Sequence, residues 1–175
     1  LASEKVFVSR DYHFNKVKTF HHMMDERTQE EPRAWDLEGA THRAGFKIEE
    51  LVEFVRAASP SEEDFGQALS QLHQALDKAA DKVAKKTLAQ QDLIGQVDAL
   101  IDTLYFTYGS FVLMGVDPER IFDIVHQANM GKIFPDGKAH FDPVTHKILK
   151  PDDWEEKYAP EPAIKKELQR QLKAY

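Results

Sequence analysis

One segment, residues 88–114, restricts the possible folds of this chain more than any other. It is apolar on most faces of a helix and ends at Gly115, with apolar side chains at Leu100, Ile101, Leu104, Tyr105, Phe106, Phe111 and Val112. A helix that is apolar all round has to be covered on every side by other elements. We therefore predict that this segment is the central helix of the fold.

Helical periodicity continues on both sides of the central segment. Apolar residues recur three or four positions apart, which is the spacing of one helix face. Helix starts are indicated by Asp36, by Ser61 with Asp64 three residues later, and by Asp117 before Pro118. Together these signals predict further helices at residues 12–29, 36–58, 61–86, 117–131 and 161–173. The expected fold is an all-α bundle of four to five main helices in a single domain spanning residues 1–175.

The C-terminal part of the chain, residues 133–175, has a different character. Several prolines and lysines make residues 133–151 a basic loop. An Asp136-Gly137 turn with Ile148 and Leu149 beyond it predicts a short hairpin. We expect the helix after this loop to be peripheral.

Composition excludes several classes of function. The net charge of -7 disfavours binding to polymeric nucleic acid, which needs clustered Lys and Arg. The absence of cysteine excludes disulfides, zinc-thiolate sites and thiol catalysis. No stretch approaches the roughly 20 apolar residues that span a bilayer, and residues 1–10 do not resemble a signal peptide. We expect a cytoplasmic protein without a membrane partner.

Three acids on the second predicted helix form the first candidate site. Glu50 and Glu53 are three residues apart, and Glu49 and Glu53 are four apart, so all three share one helix surface. Like charges at these spacings repel unless something positive lies between them. The predicted core stripe runs beside them, and we therefore expect these acids to be partly buried and to need a partner or a metal.

Two further acids, Asp98 and Asp102, are four residues apart on the most apolar helix. Carboxylates on two facing helices provide the hard oxygen ligands that suit Mg²⁺ or Mn²⁺. Two other interpretations stay open. The glutamates could be ordinary solvated surface, and the aspartates could form an internal salt bridge with Arg43 or Arg56.

A third candidate lies at the end of the fifth predicted helix, where Asn129 and Lys132 are three residues apart. A lysine is a suitable point charge for phosphate, and an asparagine can donate or accept a hydrogen bond. The alternative is an ordinary helix C-terminus, where a lysine and a glycine are common.

These motifs together resemble the all-α nucleoside triphosphate pyrophosphatases. The resemblance rests on Glu49-Glu50-x-x-Glu53, on Asp98 to Tyr105, and on Asn129-x-x-Lys132 followed by Asp136-Gly137-Lys138. It covers about residues 15–151 and is strongest to the MazG-like branch of bacteria and phages.

The resemblance implies a function and a role for each motif. Family members hydrolyse nucleoside triphosphates, here dNTPs or non-standard NTPs, to a nucleoside monophosphate and pyrophosphate in nucleotide-pool house-cleaning, and they are homodimers or dimers of dimers. By this resemblance Glu50, Glu53 and Asp102 bind Mg²⁺, and Glu49 orients or deprotonates the attacking water. Asn129, Lys132 and Lys138 are the expected phosphate-binding residues.

The chain departs from the family pattern in two places. The second motif of the family is usually Glu-x-x-Asp, but Ala99 stands three residues before Asp102, and Asp98 is the candidate replacement ligand. The predicted helix at residues 61–86 is an insert between the two motifs, expected to serve packing or dimerisation. The departure at Ala99 leaves open a non-catalytic nucleotide-binding or interaction protein on the same scaffold.

Overall fold

The computed structural model describes residues 9–25, 28–29, 31–87, 92–145 and 147–174. Seven helices occur in these ranges: α1 Tyr12–Met24, α2 Leu37–Ala58, α3 Glu62–Val83, α4 Leu93–Met114, α5 Glu119–Met130, α6 Trp154–Tyr158 and α7 Glu161–Leu172. The prediction of an all-α fold is confirmed, because the same ranges contain no β-structure beyond one isolated bridge. None of the helices described is at once long and apolar enough to cross a membrane.

The helix starts follow the capping residues in the sequence. The Asp36 side chain accepts a hydrogen bond from the Gly39 N–H at 2.7 Å, one turn into α2. Ser61 Oγ accepts from the Asp64 N–H at 3.1 Å and donates to Asp64 Oδ2 at 2.6 Å. Asp117 instead accepts from the Glu119 N–H at 3.0 Å, so α5 begins two residues after its predicted cap.

Helix ends are predicted less well than helix starts. Helix α1 ends at Met24 rather than at residue 29, because Asp25 is already extended with φ -147°. Helix α3 ends at Val83, three residues early. The predicted start of the fourth helix, residues 88–91, lies outside the described residues.

Backbone contacts divide the chain into two compact units. The terminal unit comprises residues 1–30 and 103–175, and the middle unit comprises residues 31–102. The boundary falls within α4, which begins in one unit and ends in the other. The expectation of a single domain for residues 1–175 stays a prediction.

Helix α5 is the central element of the terminal unit, since both α1 and α7 pack against it. On the α1 side, Tyr12 Oη donates to Asp123 Oδ2 at 3.0 Å, and Lys16 Nζ lies 3.3 Å from Asp123 Oδ1. The His13 ring stacks on Phe122 with centroids 4.0 Å apart. These contacts fix α1 against α5 through charge and ring stacking together.

Two helices of the middle unit, α2 and α3, pack against each other as a helical hairpin. Arg56 at the end of α2 forms two hydrogen bonds with Glu62, one of them from Nη1 to Oε2 at 2.8 Å. Its guanidinium also lies 4.9 Å from the centroid of the Phe65 ring. Elsewhere in this unit, Gln96 on α4 exchanges two hydrogen bonds with the Trp35 backbone.

The predicted central position of the apolar helix is wrong for the single chain. No residue of α4 is buried, and Ile94 and Leu113 expose 83% and 91% of their surface. The extensive packing pairs among the described helices are α1 with α5, α2 with α3 and α5 with α7, and none of these pairs includes α4. Exposed apolar patches of this extent in soluble proteins usually mark an interaction surface.

The C-terminal region contains more structure than the sequence indicated. Gly137 adopts φ +77° in the predicted turn, but the isolated bridge joins Phe141 to Ile148 and is closed by a different turn. There Asp142 Oδ1 accepts from the Thr145 N–H at 2.6 Å. Helix α6 was not predicted. Helix α7, expected to be peripheral, packs against α5.

Glu167 on α7 has the most strongly shifted carboxyl pKa of the terminal unit. It is 8% exposed and accepts hydrogen bonds from Arg170 Nε at 2.8 Å and Arg170 Nη2 at 2.6 Å. Gln171 donates a third hydrogen bond at 3.1 Å. The Arg170 guanidinium, followed by the Gln171 amide, lowers the pKa of Glu167 from 4.5 to about 2.

This shift predicts a pH dependence of folding stability. A carboxylate with a lowered pKa in the folded state contributes stability above its unfolded pKa and loses that contribution as pH falls through the folded value. The unfolding free energies of wild type and Glu167→Gln should therefore differ most above pH 4.5 and converge towards pH 2. Urea titrations at several pH values measure this difference. A constant difference, or the same behaviour in the exposed control Glu156→Gln, would contradict the assignment.

Candidate metal and phosphate site

The three predicted glutamates lie in the second half of α2, a helix whose register is set by the Asp36 cap. Glu49, Glu50 and Glu53 are all exposed, so the expectation of partial burial is wrong for the single chain. The reason is that the predicted core stripe beside these acids is itself only partly buried. Val52 and Val55 are partly buried, but Ile48 and Leu51 are exposed like the acids beside them.

The basic side chains of α2 make their described contacts with groups other than Glu50 and Glu53. Lys47 Nζ donates to the Arg43 carbonyl at 3.1 Å, one turn towards the helix start. Partial burial, and secondarily the Arg43 charge, lower the pKa of Lys47. Arg43 itself lies 5.5 Å from the centroid of the Phe46 ring. In the described residues, the Glu50 and Glu53 side chains take part in no ion pair.

The aspartates lie on the part of α4 that belongs to the middle unit. Asp98 and Asp102 are both exposed, on a helix whose neighbouring apolar residues are exposed as well. Arg56 is bound to Glu62, and over the described ranges neither aspartate forms a salt bridge with Arg43 or Arg56. The salt-bridge alternative therefore finds no support.

The two sets of carboxylates do not form a closed metal site in one chain. Nowhere in the ranges that the structure describes do three or more His, Asp or Glu side chains lie together so that they could hold a metal ion. Each helix offers its own acids at a spacing of three or four residues, which places their side chains about 5–6 Å apart at Cβ. The assignment of Glu50, Glu53, Asp98 and Asp102 as shared ligands stays a prediction.

The predicted phosphate-binding pair is in direct contact. Lys132 Nζ donates to Asn129 Oδ1 at 2.8 Å, just beyond the end of α5. Lys138 is exposed, and its backbone N–H donates to Asp136 Oδ1 at 3.0 Å. Asp136 also contacts His140 Nε2 at 2.8 Å, and this contact is the first cause of its lowered pKa. The structure therefore links Asn129 to Lys132 and places Lys138 in a separate turn.

Two residues that contact the chain beside the Asn129–Lys132 pair were not predicted from the sequence. Trp154 is 6% exposed, and its Nε1 donates to the Ala128 carbonyl at 2.8 Å. The Tyr158 ring lies against the backbone of Gly131. A signal was available, because Trp154 is one of two tryptophans in the chain and stands in an otherwise charged segment.

His13 on α1 has a packing role in the terminal unit. His13 Nδ1 lies 2.7 Å from Tyr108 Oη, and its ring stacks on Phe122. The Nδ1 atom and the ring of His13 therefore both have partners within the terminal unit.

Comparison with known proteins agrees with this helical architecture. The model of a family described as phosphoribosyl-ATP pyrophosphohydrolase matches residues 17–129. A crystal structure at 1.78 Å of a protein from Exiguobacterium sp. 255-15, named as a "putative NTP pyrophosphohydrolase", is 38% identical with a TM-score of 0.85. That match covers 95% of this chain and 99% of the other. Among proteins of curated function, none matches the sequence significantly.

Fold and sequence together define the class as all-α pyrophosphohydrolases of the MazG-like fold. The family match extends over more than half of the chain and includes Glu49, Glu50, Glu53, Asp98, Asp102 and Asn129. This chain belongs to the phosphoribosyl-ATP pyrophosphohydrolase family, a family of hydrolases.

The exposed acids of α2 predict opposite effects of one substitution with and without metal. Without metal, Glu53→Gln should raise the unfolding free energy by about 0.2–0.5 kcal/mol, because it relieves repulsion with Glu49 and Glu50. With millimolar Mg²⁺, the Tm of wild type should rise, and the same variant should lose most of that rise. Calorimetric melting with and without Mg²⁺ measures both effects.

The matched control is Asp81→Asn, which relieves an acidic pair with Asp77 on α3 at the same spacing of four residues. Its response to Mg²⁺ should equal that of wild type. If wild type and Glu53→Gln gained the same Tm with Mg²⁺, Glu53 would not be a metal ligand.

Proposed function

We propose that this chain hydrolyses nucleoside triphosphates to a nucleoside monophosphate and pyrophosphate, with Mg²⁺ as cofactor. The substrates proposed are dNTPs or non-standard NTPs, and the role is nucleotide-pool house-cleaning in the cytoplasm. One observation carries the proposal. The segment matched by a pyrophosphohydrolase family contains both acidic motifs, and Glu50, Glu53, Asp98 and Asp102 are exposed and bound to no basic residue of the described chain.

The donor set fits the proposed metal in its chemistry. Mg²⁺ prefers carboxylate and water oxygens, and it is usually held by few protein carboxylates together with substrate phosphates. Glu50 and Glu53 from α2 and Asp102 from α4 would hold it, and Asp98 would replace the glutamate that is missing at Ala99. Mn²⁺ is an alternative with the same ligand preference. When bound, such an ion neutralises phosphate charge and lowers the pKa of a bound water.

The chain's own residues have distinct tasks in this reaction. Glu49 accepts the proton of the attacking water, whose oxygen forms the new bond to phosphorus as the bond between the α and β phosphates breaks. Lys132 binds a phosphate oxygen as a point charge, and Asn129, which accepts from Lys132 Nζ at 2.8 Å, orients that ammonium group. Lys138 contributes a further positive charge from its turn.

We propose that a second copy of the chain covers the exposed apolar faces of the middle unit. Large apolar side chains on α2 and α4 are about half exposed or more, among them Leu51, Phe54, Ile94, Val97, Leu100 and Ile101. The two acidic motifs lie on these same helices. Assembly into a homodimer or a dimer of dimers would therefore also place both motifs beside the contact between copies. This arrangement would explain why the described residues of one chain form no closed metal site.

A nucleotide panel tests the reaction. Purified protein with Mg²⁺ should release pyrophosphate from at least one (d)NTP or non-standard NTP, or from phosphoribosyl-ATP. Glu49→Gln should lower kcat about 10²- to 10⁴-fold with nucleotide binding retained, because it removes the base but keeps the side-chain shape. Glu53→Ala and Asp102→Ala should abolish turnover in folded protein. Product chromatography distinguishes pyrophosphate from phosphate.

The same panel separates hydrolysis from the alternative of a non-catalytic nucleotide-binding protein. Tight nucleotide binding by calorimetry without pyrophosphate release from any substrate would support that alternative. Full activity in both Glu53→Ala and Asp102→Ala would show that the metal ligands are assigned wrongly.

The proposed assembly makes a separate prediction. Wild type should have at least twice the mass of one chain in light scattering, because the apolar surface of α4 is too large to remain in water. Ile94→Lys combined with Ile101→Lys should shift the protein towards the monomer, because the dimer would have to bury the two lysine charges in its contact. Leu172→Lys, at an apolar α7 position that is 78% exposed, is the control and should keep the wild-type mass. A monomeric wild type would refute the assembly.

A further inference from the structure

The end of α5 is held by contacts from a segment beyond the family-matched residues. The last carbonyl groups of a helix have no partner within that helix and must be satisfied elsewhere. In α5, Gln127 O accepts from the Gly131 N–H at 2.9 Å, Asn129 O from the Lys132 N–H at 3.1 Å, and Met130 O from the Ile133 N–H at 3.2 Å.

The remaining carbonyl of this last turn, that of Ala128, is satisfied by a side chain. Trp154 Nε1 donates to it at 2.8 Å in a buried hydrogen bond. The indole is itself held in place, since Lys150 Nζ lies 3.8 Å from the centroid of the ring. Trp154 therefore completes the C-terminal cap of α5 from the start of α6.

The other end of α6 makes a second contact with the same turn. The Tyr158 ring lies so close to the backbone of Gly131 that a Cβ added there would overlap it. Gly131 has φ -65°, so this position needs a glycine because of the close approach of the ring and not because of backbone conformation. Ala128 and Gly131 are both buried as a result.

These two contacts bracket the predicted phosphate-binding pair. Asn129 follows Ala128 in the chain, Lys132 follows Gly131, and the two side chains are joined by the 2.8 Å hydrogen bond. Helix ends normally fray. A cap that prevents fraying therefore keeps a binding side chain at that helix end in one place. Binding residues in general depend on such support from their neighbours.

We propose that Trp154 and Tyr158 are positioning residues that act through the Asn129–Lys132 pair on the phosphates of the substrate. The assignment rests on the proposed function, which makes Lys132 a phosphate-binding group. It adds a role for α6, which lies outside the family-matched residues 17–129. The short helix α6 is accordingly part of the substrate-binding apparatus and not a peripheral extension.

A double-mutant cycle tests this assignment. Trp154→Phe keeps an aromatic ring in place but removes the donor to Ala128, and it should raise KM for the nucleotide about five- to tenfold, the cost of one hydrogen bond, with little change in kcat. In a Lys132→Ala background the same substitution should change KM less than twofold, because residues that act through one another are not additive. A merely structural role of Trp154 would produce the same loss in both backgrounds.

The matched control is Tyr12→Phe, which also removes one side-chain hydrogen bond to α5, but at Asp123 in the first half of the helix. Its KM should equal that of wild type. Amide hydrogen exchange gives a second measurement that does not depend on turnover. Trp154→Phe should speed exchange at residues 129–133 selectively, and unchanged exchange there would overturn the proposal.

The outcomes also distinguish this proposal from the proposed function. Turnover by wild type with equal effects of Trp154→Phe in the two backgrounds would refute the positioning role alone. No turnover of any nucleotide by wild type would refute the proposed function, and the positioning role together with it.

Discussion

An apolar helix without a single buried residue is the constraint on which the rest of this structure depends. Helix α4 carries Asp98 and Asp102, joins the middle unit to the terminal unit in sequence, and buries none of its residues. Apolar area exposed to water costs about 25 cal/mol per Å², so a surface of this size strongly favours association. The proposed assembly and the proposed metal site are therefore two consequences of the same exposed helix.

The acidic face of α2 concentrates like charge on one helix surface. Glu49, Glu50 and Glu53 repel one another at helical spacing, while Lys47 points back to the Arg43 carbonyl and Arg56 binds Glu62. A helix gains no stability from such an arrangement, and functional sites are where proteins commonly keep unfavourable local choices. Binding of the proposed divalent cation would turn this unfavourable contribution into a favourable one.

Local signals in the sequence predicted much of the fold. Asp36 and Ser61 cap α2 and α3 as expected because an N-cap is a short-range interaction between neighbouring residues. Helix ends were less accurate, and the turn that closes the Phe141–Ile148 bridge was assigned to Asp136-Gly137 instead of the segment that begins at Asp142. Helix α6 was missed because five residues are too few to show a period, and its stability comes from contacts with α5.

The sequence alone determined the all-α class, most helix starts and the positions of the candidate acidic and phosphate-binding motifs, since all of these depend on residue types at fixed short spacings. It also led to the family that the comparisons then showed. Only the tertiary structure decided what each helix face meets: that α4 has no buried residue, that Arg56 binds Glu62, and that Trp154 and Tyr158 hold the end of α5. Periodicity identifies an apolar or acidic face, but the element that covers it is set by contacts between residues far apart in the chain.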